Sequence, residues 1–184
     1  MHPKTPLLFG IMTLAAVVLL APPGVAIARD SAAKPHPLPQ AIRIEHKETL
    51  EQLLALARKE PPVGPAASQA LALLQRHMAR EQEFILPPLT LLPALADGKV
   101  TADMAWALPM TERVRAERDQ LFQEHEQITD ALNVLIVAAE QANDTDAREF
   151  AESAAADSLT DMEIFEPALL MIGDALRAKL PAAH

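Results

Sequence analysis

The sequence contains no cysteine and no tyrosine, and it has only five glycines and few aromatic residues. The lack of cysteine excludes disulfides, thiolate zinc sites, iron–sulfur clusters and a cysteine nucleophile, because each of these needs the sulfur atom. Any bound metal must therefore use nitrogen and oxygen ligands. The glycines lie too far apart to build a glycine-rich phosphate-binding loop, which excludes the usual nucleotide-binding turns.

Basic residues are also fewer than acidic ones. The 184 residues include 16 Lys and Arg against 25 Asp and Glu, which gives a net charge of −9. The charges are spread along the chain and form no basic patch that could neutralise phosphate groups, so nucleic acid is not an expected partner. The length corresponds to one domain.

The N-terminal segment has the pattern of a secretory signal peptide. Lys4 precedes an apolar run over residues 7–21, which is shorter than the roughly 20 residues needed to cross a membrane. Pro22 and Pro23 follow, and then the small residues of an Ala-x-Ala cleavage site. We therefore expect residues 1–28 to be removed after Ala28, leaving a secreted or periplasmic protein without a membrane attachment. Proline-rich residues 29–39 are expected to form an extended tether.

Residues 40–180 are predicted to form an all-α domain, specifically an antiparallel up-down four-helix bundle. Ala, Leu, Glu, Gln and Arg dominate this region, and no sustained alternation typical of strands occurs in it. Breaks at proline, glycine and asparagine divide it into four helices. Their expected ranges are residues 40–59, residues 65–86, residues 111–142, and a segment that begins near Asp144 or Thr145 and ends before Pro181.

The first pair of predicted helices resembles the second pair at an offset near 80 residues. The pair Glu45-His46 corresponds to Glu124-His125. The motif His77-x3-Glu81-x-Glu83-x3-Pro87 corresponds to Asp157-x3-Asp161-x-Glu163-x3-Pro167. A duplicated helical hairpin is the simplest explanation.

The predicted turns place the paired residues at equal heights. The point midway between His46 and His77 falls in the turn at residues 61–64, and the point midway between His125 and Asp157 falls beside Asn143. Residues equidistant from the turn of an antiparallel hairpin share a height, because both helices rise equally per residue.

The polar residues of the repeat lie on the apolar faces of the predicted helices. His46 and His125 lie on those of the first and third helices, and His77 and Glu81 on that of the second. The interior face of the fourth helix is predicted to contain Phe150, Ala154, Asp157, Asp161, Ile164 and Met171. Six buried polar groups need a compensating charge, which a metal ion supplies. Imidazole and carboxylate suit iron, zinc, manganese or copper, and the spacing alone allows one ion or two.

The ordered set of His46, His77-x3-Glu81 and His125 resembles the pattern of hemerythrin-like proteins, also called the HHE cation-binding domain. The resemblance covers about residues 39–180. It implies an antiparallel four-helix bundle with a non-haem di-iron centre that binds O2 or another small diatomic molecule, or serves in iron handling. It also implies that His46, His77, Glu81 and His125 correspond to ligand positions.

The fourth helix departs from that pattern. Asp157-x3-Asp161 stands where the family has a second His-x3-Glu motif. With Asp157 and Asp161 as ligands, the centre would hold three histidines and three carboxylates, which favours ferric iron and disfavours reversible O2 carriage. Zinc or a single ion is an alternative to a di-iron centre.

Three functions follow from these observations. The first is an exported metal-binding protein, with iron as the expected metal, that binds or senses O2, iron or redox state. The second is an oxidase- or peroxidase-type enzyme on the same scaffold. It carries less weight because the sequence indicates no additional acid, base or substrate pocket. The third is a metal-free bundle that acts as an interaction module, an alternative that depends on Asp157 standing in place of a histidine.

Overall fold

The computed structural model describes residues 36–180, and every regular element in that range is helical. The all-α prediction is therefore confirmed for the described part of the chain. The predicted signal peptide over residues 1–28 and most of the predicted tether lie outside the described residues. None of the helices in residues 36–180 combines the length and the apolar character needed to cross a membrane.

The helices are interrupted by short segments of tighter or wider winding. The long helices are α1 (Gln40–Leu56), α2 (Val63–Arg80), α5 (Ala107–Ala116), α6 (Arg118–Gln141), α7 (Thr145–Thr160) and α8 (Glu166–Lys179), with short helices α3 (Leu86–Leu89) and α4 (Leu92–Ala96) and a 3₁₀ turn (Ala102–Trp106) between α2 and α5. Two π-helical turns, Glu81–Ile85 and Asp161–Phe165, join α2 to α3 and α7 to α8. They begin 80 residues apart, so the sequence repeat extends to this unusual backbone geometry.

Pro87 and Pro88 were expected to kink or end the second helix near Leu86. The helical path does not end there, since α3 contains both prolines. Proline is tolerated there because the first turn of a helix leaves its N–H groups without intrahelical acceptors in any case. The π turn just before α3 creates that new beginning. The first helix ends at Leu56, slightly before the expected Lys59.

The third predicted helix begins earlier than expected and is broken. It starts at Ala107 rather than Thr111, and Glu117 leaves the helical region between α5 and α6 with φ −99° and ψ 12°. The fourth predicted helix begins as expected, since the Asp144 side chain caps it by accepting a hydrogen bond from the backbone N–H of Ala147.

Two hydrophobic clusters make up the core. In the first cluster α2 packs against α1 and α6, and α6 packs against α7, around buried Leu53, Leu132 and Leu135. In the second, α5 and α8 pack around Phe84 and Leu169 with the first π turn. His77 and His125 each lie between residues of the first cluster and residues of the second. The polar centre therefore sits where the two clusters meet.

The prediction of the apolar face of the fourth helix was wrong at three residues. Ile164 and Met171 are 56% and 71% exposed. Asp157 is exposed as well, and Ser158 is buried in its place. The interior residues of α7 are Ala147, Ala151, Ala154 and Ser158, a series that shares Ala154 with the predicted one but continues to Ser158 instead of Asp157. Past Thr160 the π turn adds a residue to the helical turn and rotates all later side chains, so a uniform period of 3.6 cannot apply.

Candidate metal centre

Four of the six predicted ligands are buried together. His46 on α1, His77 on α2, Glu81 in the first π turn and His125 on α6 are each at most 6% exposed. The apolar residues at helical spacing around them, such as Leu53, Leu74 and Ile128, draw these faces inward. The prediction that these four residues face the interior is confirmed.

Glu81 lies between two of the histidines. Its Oε2 is 3.4 Å from Nε2 of His46, and its Oε1 is 3.4 Å from Nε2 of His77. Two buried ring nitrogens, Nδ1 of His46 and Nε2 of His77, have no hydrogen-bond partner. Buried polar atoms are normally paired. An ion between Glu81 and His77 would give Nε2 of His77 a partner, and the residue types present fit a metal.

His125 completes this group from α6. Its ring lies edge-on to that of His77, with 4.3 Å between the ring centroids, and its Nδ1 is 3.0 Å from Oγ of Ser158. Burial lowers the pKa of His125 to about 4, with a smaller contribution from His77, against the opposing effect of Glu81. Burial also lowers the pKa of His46. Both rings are therefore neutral at neutral pH, which is the form that binds metals.

Glu124 orients His77 from outside the centre. Its Oε2 lies 3.2 Å from Nδ1 of His77, and its other oxygen accepts hydrogen bonds from Arg80 and Gln120. A carboxylate that accepts the Nδ1–H leaves Nε2 directed at Glu81, the usual arrangement behind a metal-bound histidine. Glu124 adjoins His125 in the sequence, yet the ring that it contacts is that of His77, on another helix.

Ser158 is the functional residue that sequence reasoning missed. It follows Asp157 directly and is only 5% exposed. The run of small residues Ala147, Ala151 and Ala154 at helical spacing could have indicated its orientation, because small side chains mark the closely packed face of a helix. With Nδ1 of His125 engaged by Ser158, Nε2 of that ring is left for the centre.

The two aspartates of the fourth helix occupy different environments. Asp161 is partly buried and lines the same small cavity as Glu81 and His125, of about 20 Å³. Burial raises its pKa to about 8, and the nearby charge of Glu81 adds to the effect. Asp157 lies at the exposed rim of the same cavity, opposite Glu45 on α1. Burial raises the pKa of Glu45, and the negative charges of Asp157 and Glu81 raise it further.

The cavity is large enough for one water-sized occupant. As the side chains stand, no group of three or more His, Asp and Glu in residues 36–180 has the close arrangement of a bound ion. The candidate ligands thus line the cavity, but they do not stand at the distances that would let them bind one ion together. A second cavity of similar size lies beside Glu81 and His125, and its other walls are mostly apolar, including Ile85, Leu121 and Leu169.

Comparisons with known proteins identify no relative. No family model matches the chain, and neither the curated proteins nor the solved structures contain a match to it.

The raised pKa of Asp161 predicts an unusual pH dependence of stability in metal-free protein. Between pH 4 and pH 8 the folded state retains a proton on Asp161 that the unfolded state has released, so stability should fall as pH rises through that window. Melting temperatures measured in chelator should show this fall in the wild type and a flatter profile in Asp161→Asn. The exposed Asp130→Asn variant is the control, and an equally steep profile in Asp161→Asn would contradict the assignment.

His125 has the opposite dependence. The unfolded state binds a proton below its ordinary pKa of 6.5, whereas the folded state does so only near pH 4. The contribution of neutral His125 to stability is therefore complete above pH 6.5 and is lost as pH falls through the range from 6.5 to 4.

Proposed function

We propose that the chain is a metal-binding protein of hemerythrin-like type whose helices form an antiparallel four-helix bundle. The observation that carries the proposal is the placement of Glu81, which presents each of its oxygens to the Nε2 of a different buried histidine. Three helices and a π turn contribute His46, His77, His125 and Glu81 to the lining of one small cavity. A cluster of this composition, without a lysine or arginine lining its cavity, calls for a cation.

Iron is the proposed metal, held by His46, His77, Glu81 and His125, with Asp161 as an additional carboxylate. Mixed imidazole and carboxylate ligands suit iron and also zinc, and one ion or two could be held. Bound iron would supply redox chemistry and an affinity for O2 or another small diatomic molecule. The chain's own residues keep the ligating rings neutral, orient His77 through Glu124, and orient His125 through Ser158.

The proposed location is outside the cytoplasm. The apolar run, the Pro22-Pro23 pair and the Ala-x-Ala site of residues 1–28 support cleavage and export, to the periplasm in a Gram-negative cell. Binding or sensing of O2, iron or redox state is the role we propose there. The interaction-module alternative applies if the purified chain binds no metal.

Metal analysis of the purified chain tests the proposal. After loading with Fe²⁺ or Zn²⁺ and removal of excess ions, we expect one or two ions per chain, and a His77→Ala variant should lose them. A His184→Ala variant, which changes a histidine outside the predicted ligand set, serves as the control. Less than roughly one ion in ten wild-type chains would overturn metal binding. Metal retention by His77→Ala equal to wild type would remove the proposed ligand set.

A further inference from the structure

Three of the openings beside the histidine centre, all within residues 36–180, differ in charge. The groove outside His77, between α2 and α6, is lined by Arg76 and Arg80 with Glu124. The groove outside His46, along α1, is lined by Arg43 and Lys47 with Glu51. Each of these two openings thus places two cationic side chains against one carboxylate, and a metal cation approaching through either would be repelled.

The third opening lies between α1 and α7 and has the opposite character. Glu45 and Asp157 are exposed at its rim, Asp161 is partly buried below them, and Glu81 lies at its base. No lysine or arginine is among the residues that line it. The unpartnered Nε2 of His77, whose residue is 4% exposed, is at the inner end. A buried imidazole nitrogen without a partner is an independent indication that this cavity accepts a ligand.

The remaining walls of the cavity, within residues 36–180, are less favourable to a cation. Leu74 and Met78 close one side of the cavity, and Ser158 is occupied by its hydrogen bond with His125. The neighbouring cavity is lined by Asp161 and Glu166 together with buried Ile85, Val114 and Leu169. Arg118 is paired with Glu166 there and offsets its charge, and the apolar walls make the passage of a bare cation costly.

We propose that Glu45 and Asp157 form a cation port, which captures a divalent metal ion from solvent and passes it between α1 and α7 to the histidine centre. This inference rests on the proposed metal-binding function and assigns a role to Asp157 other than that of a ligand. Exposed carboxylates at the mouth of a cleft raise the local concentration of cations and hence the association rate. A ligand in the centre acts mainly on the dissociation rate, so kinetics separate the two roles.

The test uses Co²⁺ as the probe, because its visible absorption changes on binding, and full-length metal-free protein in a stopped-flow instrument. The double variant Glu45→Gln/Asp157→Asn should bind Co²⁺ about 10-fold more slowly than wild type at low salt, within the range known for electrostatic steering. Its dissociation rate should stay within about twofold of wild type. Added salt should slow wild type more than the variant.

A matched control variant, Glu48→Gln/Glu163→Gln, removes the same number of charges from exposed positions on α1 and in the π turn that follows α7, and neither residue lines the cavity. It should retain nearly the wild-type association rate. Equal association rates in the two double variants would overturn the port. The dissociation rate of Glu45→Gln/Asp157→Asn could instead rise by a larger factor than its association rate falls. That result would make Asp157 or Glu45 a ligand. Failure of wild type to bind Co²⁺ at all would overturn the metal-binding function itself, and the port with it.

Discussion

Replacing Glu81 by glutamine should lower the affinity of the chain for Fe²⁺ or Zn²⁺ by more than about 100-fold, beyond the range typical for loss of an outer hydrogen-bond partner. Glutamine preserves the size of the side chain but removes its negative charge and one of the two oxygens proposed as ligands. Both oxygens of Glu81 face histidine nitrogens, so an NH2 group that cannot ligate a metal stands beside one of the two rings whichever way the amide turns. Competition with a chromophoric chelator would measure the affinity.

The same substitution should not weaken the metal-free fold. Glu81 is 2% exposed, and burial of an ionised carboxylate is costly. We therefore expect the melting temperature of metal-free Glu81→Gln to equal or exceed that of wild type, while the increase produced by added metal disappears. Loss of affinity together with a collapsed metal-free fold would point to a structural role instead.

Glu83→Gln is the matched control for this experiment. Glu83 lies in the same π turn, but its side chain is 62% exposed and pairs with Arg113 at 2.7 Å on the surface. Exposed ion pairs contribute little to stability. The control should bind metal as wild type does, and an equal loss in both variants would remove Glu81 from the ligand set.

Replacing Gly64 by alanine should destabilise the fold by about 3 kcal/mol, at the upper end of the usual cost of overpacking. A Cβ atom at this position would stand 2.0 Å from the carbonyl oxygen of Lys59 and 3.0 Å from its carbonyl carbon. These are backbone atoms, so they cannot move aside as a side chain could. The turn between α1 and α2 would have to open, and the relative heights of His46 and His77 would change with it.

Thermal unfolding checks this second prediction. For a domain of this size a loss of 3 kcal/mol corresponds to a fall of roughly 10 °C in melting temperature. Gln69→Ala, an exposed change in the same helix, should stay within about 0.5 kcal/mol of wild type. If the melting temperature of Gly64→Ala equals that of the Gln69→Ala control, the turn between α1 and α2 is free to relax. Because the turn sets the alignment of α1 with α2, a destabilised variant should also bind metal more weakly.

Most of the candidate centre could be predicted from periodicity. His46, His77, Glu81 and His125 lie in regular helical segments or at their ends, where three or more apolar residues at the right spacing determine the buried face. The hydrophobic effect acts on the whole face, so a histidine in line with those residues is carried inward with them.

The buried face of the fourth predicted helix could not be predicted from periodicity in the same way. In α7 two series with helical spacing share Ala154, and one continues to Asp157 and the other to Ser158. The second series consists of small residues, and packing against α6 selects it, because Ala147 and Ala151 allow the helices to approach closely. Beyond Thr160 the π turn changes the period itself, and the exposure of Ile164 and Met171 follows from that change.

The sequence by itself determined the helical class, the absence of sulfur ligands, the repeat at 80 residues and the inward direction of three histidines and a glutamate. These are properties of composition and of local periodicity, which each helix expresses independently of its neighbours. Tertiary structure alone decided that Ser158 and Glu124 orient the histidines and that Asp157 stands with Glu45 at the rim. Those contacts join residues far apart in the chain, and they depend on how helices rotate and approach one another when they pack.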